Sequence, residues 1–278
     1  MPSRVLVVAS ETEEECNNRR RSTGAASHET YAGTLRDLRP GLIVETISCL
    51  GGADPMSVRD LRGFNGIFLA GSPIQMHEDR AETRAAARFM TAVFESGTPS
   101  FGSCAGLQIA TVAAGGRTVP RPRGTEAAVA RNITKTRAGR SHPLLRGRPP
   151  AWTAPAMHSS MVKTLPHGAT RLACNADTPV EAAEIRHGDG VFWGVQYHPE
   201  LTLSEIAASL RRQSADLIGE GLAADEAALE DHARRLEALD RDPARRDLAW
   251  QLGLDDQIAD PRLRRTELCN FLDAIAGR

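Results

Sequence analysis

Short hydrophobic runs alternate with amphipathic stretches over residues 4 to 200 of the chain. Arg4 to Ala9 and Leu42 to Ile47 are nearly continuous runs of aliphatic and β-branched residues. Strands of this kind are typical of a parallel sheet that helices cover on both faces. His28 to Leu38 and Glu78 to Ser96 instead repeat hydrophobic residues at helical spacing. The alternation of strand and helix predicts an α/β fold with a mostly parallel sheet.

The sequence after residue 203 predicts helices alone. Asp225 is a suitable N-cap, and an Asp-Pro pair at 242–243 and again at 260–261 is typical of a helix start. The four predicted helices are Leu203 to Ile218, Glu226 to Leu239, Asp242 to Leu252 and Asp260 to Ile275. We therefore predict one domain over residues 1–203 and a helical C-terminal extension over residues 204–278. The first and last helices are expected to pack on the core, and the middle pair to form a cap or an oligomer contact.

Two charged segments interrupt the hydrophobic pattern. Glu11 to Arg21 holds acidic and amide residues followed by three arginines, which favours a solvated loop over the border of a substrate entrance. Arg117 to Pro150 is rich in arginine and proline and predicts short antiparallel strands such as Ala127 to Thr134. Solvated arginines on an edge hairpin are favoured there over a phosphate or acidic-partner site. Because no aromatic residues are interleaved with these arginines, we expect no nucleic-acid site.

Composition adds limits on partners and compartment. With 34 basic and 35 acidic residues the formal net charge is −1, which suggests neither a nucleic-acid nor a membrane partner. The five cysteines are odd in number and lack C-x-x-C spacing, which argues against a disulfide framework and a metal site. We find no signal-peptide pattern at the N-terminus and no apolar run long enough for a bilayer, so a cytoplasmic protein is expected.

Cys104 lies in a G-x-C-x-G pattern between a predicted strand and a predicted helix. The flanking Gly102 and Gly106 permit the tight turn that presents a nucleophile. At a helix N-terminus the helix dipole favours the reactive thiolate over the thiol. The N–H of Ala105 points to the same place and is a candidate oxyanion donor. An inert core cysteine is the alternative, because free cysteines are often simply buried.

A candidate base and its orienting acid occur in the run that ends at His198-Pro199-Glu200. In extended chain the side chains at i and i+2 share a face, so His198 and Glu200 are placed side by side. Imidazole can take a thiol proton through one ring nitrogen while a carboxylate holds the proton on the other. A surface turn with a solvated charge pair is the alternative.

A third motif is the apolar run Gly66 to Leu69, which leads into the turn Gly71-Ser72-Pro73. The backbone N–H groups of Gly71 and Ser72 could complete, with Ala105, an oxyanion hole for acyl transfer. An ordinary strand-to-loop turn is the alternative.

These three motifs, in this order and separation, resemble those of the class I glutamine amidotransferases, which use a catalytic triad. The resemblance is to stand-alone domains similar to the amidotransferase part of GMP synthase, and it covers residues from about Arg4 to Glu200. It implies a flavodoxin-like three-layer sandwich over the 1–203 domain. It also implies that Cys104 is the nucleophile, His198 the base and Glu200 the orienting acid. We expect Gln108, Gln196 and Tyr197, which lie within the motifs, to bind substrate.

The chain also departs from the family pattern. His158 is usually followed two residues later by an aspartate, and here that position is Ser160. The change removes a charge near the active site of the family, so the role of that acid, including communication with a synthetase, is open.

Three functions are consistent with these motifs. The first is a glutaminase that hydrolyses the glutamine side-chain amide through a Cys104 thioester and supplies ammonia to a partner synthetase. The second is a γ-glutamyl hydrolase or peptidase that uses the same triad on a γ-glutamyl conjugate. The third is a non-catalytic regulatory subunit. No cofactor is expected, and the chain could form a homo-oligomer.

Overall fold

A nine-stranded mixed sheet lies at the centre of the molecule, in a computed structural model that describes residues 3–51 and 56–276. The strand order is β2-β1-β3-β4-β11-β10-β9-β6-β7, and β5 pairs with β8 in a separate two-stranded sheet. Within the described residues the strands are β1 Arg4–Ala9, β2 Ile43–Ser48, β3 Gly66–Leu69, β4 Ser100–Ser103, β5 Arg117–Pro120, β6 Glu126–Lys135, β7 Ala151–His158, β8 Ser160–Thr164, β9 Ala169–Cys174, β10 Ala182–His187 and β11 Gly190–Val195.

The sheet is parallel from β2 to β11 and antiparallel from β11 to β7. The described helices are α1 Glu13–Thr23, α2 Ser27–Leu38, α3 Val58–Leu61, α4 Ala81–Ser96, α5 Ala105–Ala113, α6 Leu203–Arg212, α7 Ser214–Gly219, α8 Glu226–Arg241, α9 Arg246–Leu252, α10 Asp256–Ala259, α11 Pro261–Arg264 and α12 Thr266–Ile275. The predicted α/β fold is confirmed, and the parallel half of the sheet carries all three sequence motifs.

Helices cover both faces of the parallel strands. Val5 and Val7 of β1 face a core that α2 and α12 complete. Leu6 and Val8 point the opposite way, toward α4 and α5. Side chains alternate along a strand, so each of these continuous apolar runs serves two cores. The result is the three-layer sandwich that the resemblance implied.

The segment from residue 11 to residue 21 differs from the expected loop, because most of it belongs to α1. Thr12 accepts a hydrogen bond from the N–H of Glu15, and the Glu15 carboxylate accepts one from the N–H of Thr12. This reciprocal capping box satisfies two backbone groups at the helix start. The Thr-x-x-Glu spacing is visible in the sequence and was the signal for a helix.

The helices after residue 203 are divided between two cores. The apolar faces of α6, α8, α9 and α10 pack together in a core of their own, beside β6 and β7. Helix α12 instead packs under the central sheet, where Phe271 meets Phe68 and Phe101. Trp250 of α9 is 83% exposed. The domain boundary at residue 203 stays a prediction. Within the described ranges, no helix is long and apolar enough to cross a bilayer.

Candidate active site

Cys104 lies at a sharp turn between β4 and α5. Its φ of 52° and ψ of −107° are an uncommon conformation for a residue with a side chain, and they make it the N-cap of α5. Gly106 allows this turn to lie against β3, because a Cβ there would be 2.7 Å from the carbonyl oxygen of Leu69. Cys104 as a residue is only 4% exposed, and its Sγ atom is 3.9 Å from the carbonyl oxygen of Met157. The local geometry is that of a nucleophile elbow.

His198 and Glu200 form a buried pair beside this elbow. The Nδ1 atom of His198 is 2.7 Å from Oε1 of Glu200, and the two side chains are 9% and 3% exposed. Burial lowers the pKa of His198, but the Glu200 carboxylate and the Cys104 side chain raise it by more, to about 10. The ring is therefore held as an imidazolium near neutral pH, next to the cysteine. The expected pairing of His198 with Glu200 is present in the structure.

The turn after β3 faces the same point. Gly71 lies so close to the His198 ring that a Cβ at position 71 would be 2.5 Å from its Cε1 atom and 3.5 Å from Cβ of Cys104. The Ser72 hydroxyl accepts a hydrogen bond from Ser10, at 2.8 Å. Among the described residues, the backbone N–H groups of Gly71 and Ser72 make no hydrogen bond to protein. Ala105 begins α5, where N–H groups have no partner within the helix.

These groups open into one cavity of about 270 Å³. Cys104, His198, Gly71, Ser72 and Ala105 line it. The carboxyl ends of neighbouring parallel strands lie at one edge of a sheet, which is why residues that follow β3, β4 and β11 meet here. A small set of polar groups in a concave site is typical of a ligand pocket.

Gln108 forms a rigid wall of the cavity. Its Oε1 atom accepts from the Ser160 hydroxyl at 2.8 Å, and its Nε2 atom donates to the Ser160 carbonyl at 3.1 Å and to Gln196 Oε1 at 3.2 Å. Gln196 is completely buried and is not among the cavity-lining residues. Ser160 therefore fixes the orientation of Gln108.

Tyr197 does not contact the cavity, contrary to the expectation for this residue. Its ring packs against Trp152, and its hydroxyl donates to Glu267 of α12 at 2.8 Å. The same alternation that places His198 beside Glu200 turns Tyr197 to the other side of the chain. Tyr197 is a core residue that ties β11 to the last helix.

His158 lines the cavity and belongs to a buried polar cluster at its wall. Its Nδ1 atom is 2.8 Å from the Ser160 carbonyl oxygen, and its Nε2 atom is 2.9 Å from Glu126 Oε2. Burial raises the pKa of Glu126, but His158 and Arg121 lower it by more, so the carboxyl is ionised. Each ring nitrogen of His158 therefore faces a hydrogen-bond acceptor.

Three charged residues line the cavity that sequence reasoning did not assign to it. Glu11 and Arg19 come from the segment that was expected to be a solvated loop, and Arg212 comes from α6. The border of a substrate entrance, which was the alternative for residues 11 to 21, is where the structure places Glu11 and Arg19. The sequence carries no comparable signal for Arg212.

Glu11, Cys16 and His28 bring three metal-ligand atom types within 4.8 Å of one another. The Glu11 carboxylate already accepts hydrogen bonds from the N–H and the hydroxyl of Ser27, each at 2.9 Å. Burial and the charge of Glu11 raise the pKa of Cys16 to about 11, which keeps the thiol protonated. The Cys16 thiol donates to the Glu11 carboxylate at 3.7 Å, so protein partners account for this cluster and we assign no metal to it.

Comparisons with known proteins point to one family. A family model described as glutamine amidotransferase class-I matches residues 52–216, more than half of the 278-residue chain. A γ-glutamyl-L-1-hydroxyisopropylamide hydrolase from a Pseudomonas species is 32% identical over 78% of this chain and 74% of its own. A glutamine-hydrolysing GMP synthase from Leifsonia xyli is 33% identical over 50% of this chain, which spans only 26% of that relative.

Solved structures share the fold over nearly the whole chain. A glutamine amidotransferase from Thermotoga maritima superposes with a TM-score of 0.63 at 14% identity and covers 99% of this chain and 98% of its own. One from Methylobacillus flagellatus gives a TM-score of 0.59 at 15% identity, with 98% and 95% covered. From the match over more than half of its length, we conclude that the chain belongs to the class I glutamine amidotransferase family.

Proposed function

We propose that the chain hydrolyses a γ-glutamyl amide bond through a thioester on Cys104. The observation that carries this proposal is the buried pair of His198 and Glu200, 2.7 Å apart, beside a cysteine at a nucleophile elbow. Nucleophile, base and orienting acid are the three groups that acyl transfer needs.

In the first half-reaction the Cys104 thiolate attacks the carbonyl carbon of the amide. The oxygen gains negative charge and accepts hydrogen bonds from the N–H groups of Ala105 and of Gly71 or Ser72. The His198 imidazolium then gives its proton to the amide nitrogen, the C–N bond breaks, and a neutral amine leaves. The γ-glutamyl group stays on sulfur as a thioester.

In the second half-reaction His198, now neutral, removes a proton from water as the water attacks the thioester. The tetrahedral intermediate uses the same oxyanion donors, the C–S bond breaks, and glutamate leaves with the thiolate restored. Glu200 holds the Nδ1 proton throughout, so that Nε2 faces the reacting atoms. Gln108, held by Ser160 and Gln196, supplies a fixed amide group to the pocket.

We infer that the leaving amine is the small amine of a γ-glutamyl conjugate. The γ-glutamyl amide hydrolase from Pseudomonas is similar over 78% of this chain, whereas the GMP synthase is similar over 50%. In addition, α6 of the proposed 204–278 extension contributes Arg212 to the cavity, which supports a role of the extension in the pocket of the 1–203 domain.

A glutaminase that supplies ammonia to a separate synthetase is the second candidate. The similarity to GMP synthases supports it. The matched region is only 26% of the Leifsonia enzyme, so in this case a separate protein would supply the synthetase part. In that case an oxyanion hole completed only on docking would restrain the isolated chain. One missing donor accounts for a loss on the order of 10²–10³ in rate.

Steady-state kinetics of the purified chain separate these candidates. Rapid cleavage of a γ-glutamyl alkylamide without a partner supports the conjugate hydrolase. Slow hydrolysis of glutamine that a co-purifying synthetase stimulates supports the glutaminase. Absence of both activities, with no γ-glutamyl adduct on Cys104 by mass spectrometry, would support the non-catalytic subunit instead.

A further inference from the structure

Arg19 is a buried guanidinium with few partners. It lines the Cys104 cavity from α1, and its side chain is only 9% exposed. Its one ion pair is a long contact of 3.4 Å from Nη2 to Glu205 Oε1, and Nε has no partner among the described residues. A guanidinium has five N–H donors, and a buried charge with unused donors is costly. A bound acceptor would satisfy the remaining donors.

The nearby carboxylates are occupied by other donors. Glu205 caps α6 by accepting from the N–H of Thr202 at 2.9 Å, and it accepts from the Thr30 hydroxyl at 2.7 Å. Glu11 accepts from the N–H and hydroxyl of Ser27. Both acids therefore serve backbone and hydroxyl donors and leave most of the Arg19 guanidinium unpaired.

Arg212 is a second guanidinium at the same cavity. Its two terminal nitrogens donate to hydroxyl groups, those of Ser22 at 3.0 Å and Ser209 at 3.1 Å. It forms no ion pair with any residue in the described part of the chain. Partial burial of its guanidinium and the charge of Arg19 lower the pKa of Arg212, whereas the charge of Glu11 raises it, and the residue as a whole is exposed. A substrate anion would add to the compensation that Glu11 gives these two guanidinium groups.

We propose that Arg19 and Arg212 form a carboxylate subsite within the Cys104 cavity. Planar guanidinium groups match the two oxygens of a carboxylate, which makes arginine the usual residue for such recognition. The subsite lies toward β1, since Glu11 follows β1, Gly71 follows β3 and Cys104 follows β4 in the order of the sheet. The inference rests on the proposed function for the identity of the substrate.

A γ-glutamyl conjugate can bring this carboxylate from either side of its amide. The α-carboxylate of the glutamyl group is one source, and an acid on the amine part is the other. Three compounds separate them. γ-Glutamyl ethylamide has a carboxylate on the glutamyl part alone, 4-aminobutyrylglycine on the amine part alone, and γ-glutamylglycine on both.

Calorimetric binding to the Cys104→Ala protein, which cannot turn the compounds over, tests the subsite. Adding Arg19→Gln to this protein should lower its affinity for γ-glutamylglycine roughly 10- to 100-fold, as expected for loss of a charged hydrogen bond. If the glutamyl group supplies the carboxylate, Arg19→Gln lowers the affinity for γ-glutamyl ethylamide by the same factor and leaves the affinity for 4-aminobutyrylglycine unchanged. If the amine part supplies it, these two results are exchanged.

Unchanged binding of γ-glutamylglycine, equal losses for all three compounds, or no binding of any would overturn the subsite. Arg21→Gln is the matched control, because Arg21 is an exposed arginine on the same helix that does not line the cavity. Should Arg19→Gln fail to fold by thermal melting, Arg212→Gln provides the same test from α6. If binding to the Cys104→Ala protein depends on Arg19 but the wild-type chain hydrolyses none of the compounds, the proposed function is refuted and the subsite remains.

Discussion

Gly71 and His198 are in such close contact that position 71 has no room for a side chain. A Cβ atom there would lie 2.5 Å from Cε1 of the His198 ring, a distance that real Cβ contacts essentially never show. Glu200 holds the neighbouring ring atom, with 2.7 Å between Nδ1 and Oε1. A backbone turn and a carboxylate therefore both constrain the position of the imidazole.

Gly71→Ala should displace the His198 ring and reduce kcat. A misplacement of about 1 Å in a reacting group costs on the order of 10²-fold in rate. Gly33→Ala is the matched control, since a Cβ at that helical position meets nothing within 4 Å. Activity of Gly71→Ala equal to that of Gly33→Ala would show that the contact does not position the base.

Cys104→Ala should abolish turnover while the fold persists. Cys104 is more buried than expected for an elbow residue, at 4% exposure, but its replacement by alanine removes one atom at the edge of a cavity. Loss of a triad nucleophile costs on the order of 10⁶ in kcat. Circular dichroism and γ-glutamyl transfer to the protein, measured by mass spectrometry, check both parts. Cys174→Ala, outside the cavity, should retain full activity and the same adduct.

Glu200→Gln should change the pH dependence of both activity and stability. The pKa of His198 is raised from 6.5 to about 10, so the folded state binds the proton more tightly than the unfolded state. The stability from the His198–Glu200 pair is then complete below pH 6.5 and is lost as pH rises toward 10. The melting temperature of the wild type should be higher than that of Glu200→Gln at pH 6, and the difference between the two melting temperatures should be smaller at pH 10. A difference that grows with pH would contradict the assignment.

The same substitution tests the role of the imidazolium as the acid for the leaving amine. In wild type, activity should fall as pH rises through about 10, where His198 loses its proton. Glu200→Gln removes the largest influence that raises this pKa, so its alkaline limb should move to lower pH. Residual activity should exceed that of His198→Ala, because an orienting acid matters less than the base. Identical pH–rate profiles for wild type and Glu200→Gln would refute this role.

Glu267→Gln should destabilise the fold at a buried ion pair that does not line the cavity. Glu267 of α12 accepts from Nε and Nη2 of Arg148, each at 2.7 Å, and both side chains are 0% exposed. Removing one partner leaves a buried guanidinium unpaired, which costs about 3–5 kcal/mol. Urea unfolding measures the loss, and Arg148→Met combined with Glu267→Met should recover part of it. The exposed pair of Arg245 and Asp247 provides a control, since Arg245→Ala should leave the midpoint nearly unchanged.

Local sequence signals determined much of the site before any tertiary information. The G-x-C-x-G turn, the i and i+2 relation of His198 and Glu200, and the turn at Gly71 depend on a few adjacent residues and on the direction of parallel strands. For the same reason several helix ends agree with prediction, among them the N-cap Asp225 and the C-cap Gly253. Chain directions and cap chemistry are properties of short segments, so a sequence specifies them.

Only the tertiary structure decided which distant residues complete the cavity and the core. Arg19 and Arg212 are far apart in sequence and line the same cavity because α1 and α6 pack together. Tyr197 joins α12 instead of the cavity because the last helix brings Glu267 to its hydroxyl. A run of charged residues or an apolar helix face does not specify which distant residues it will contact. The order of nine strands and the packing of α12 under them determined which side chains became buried together.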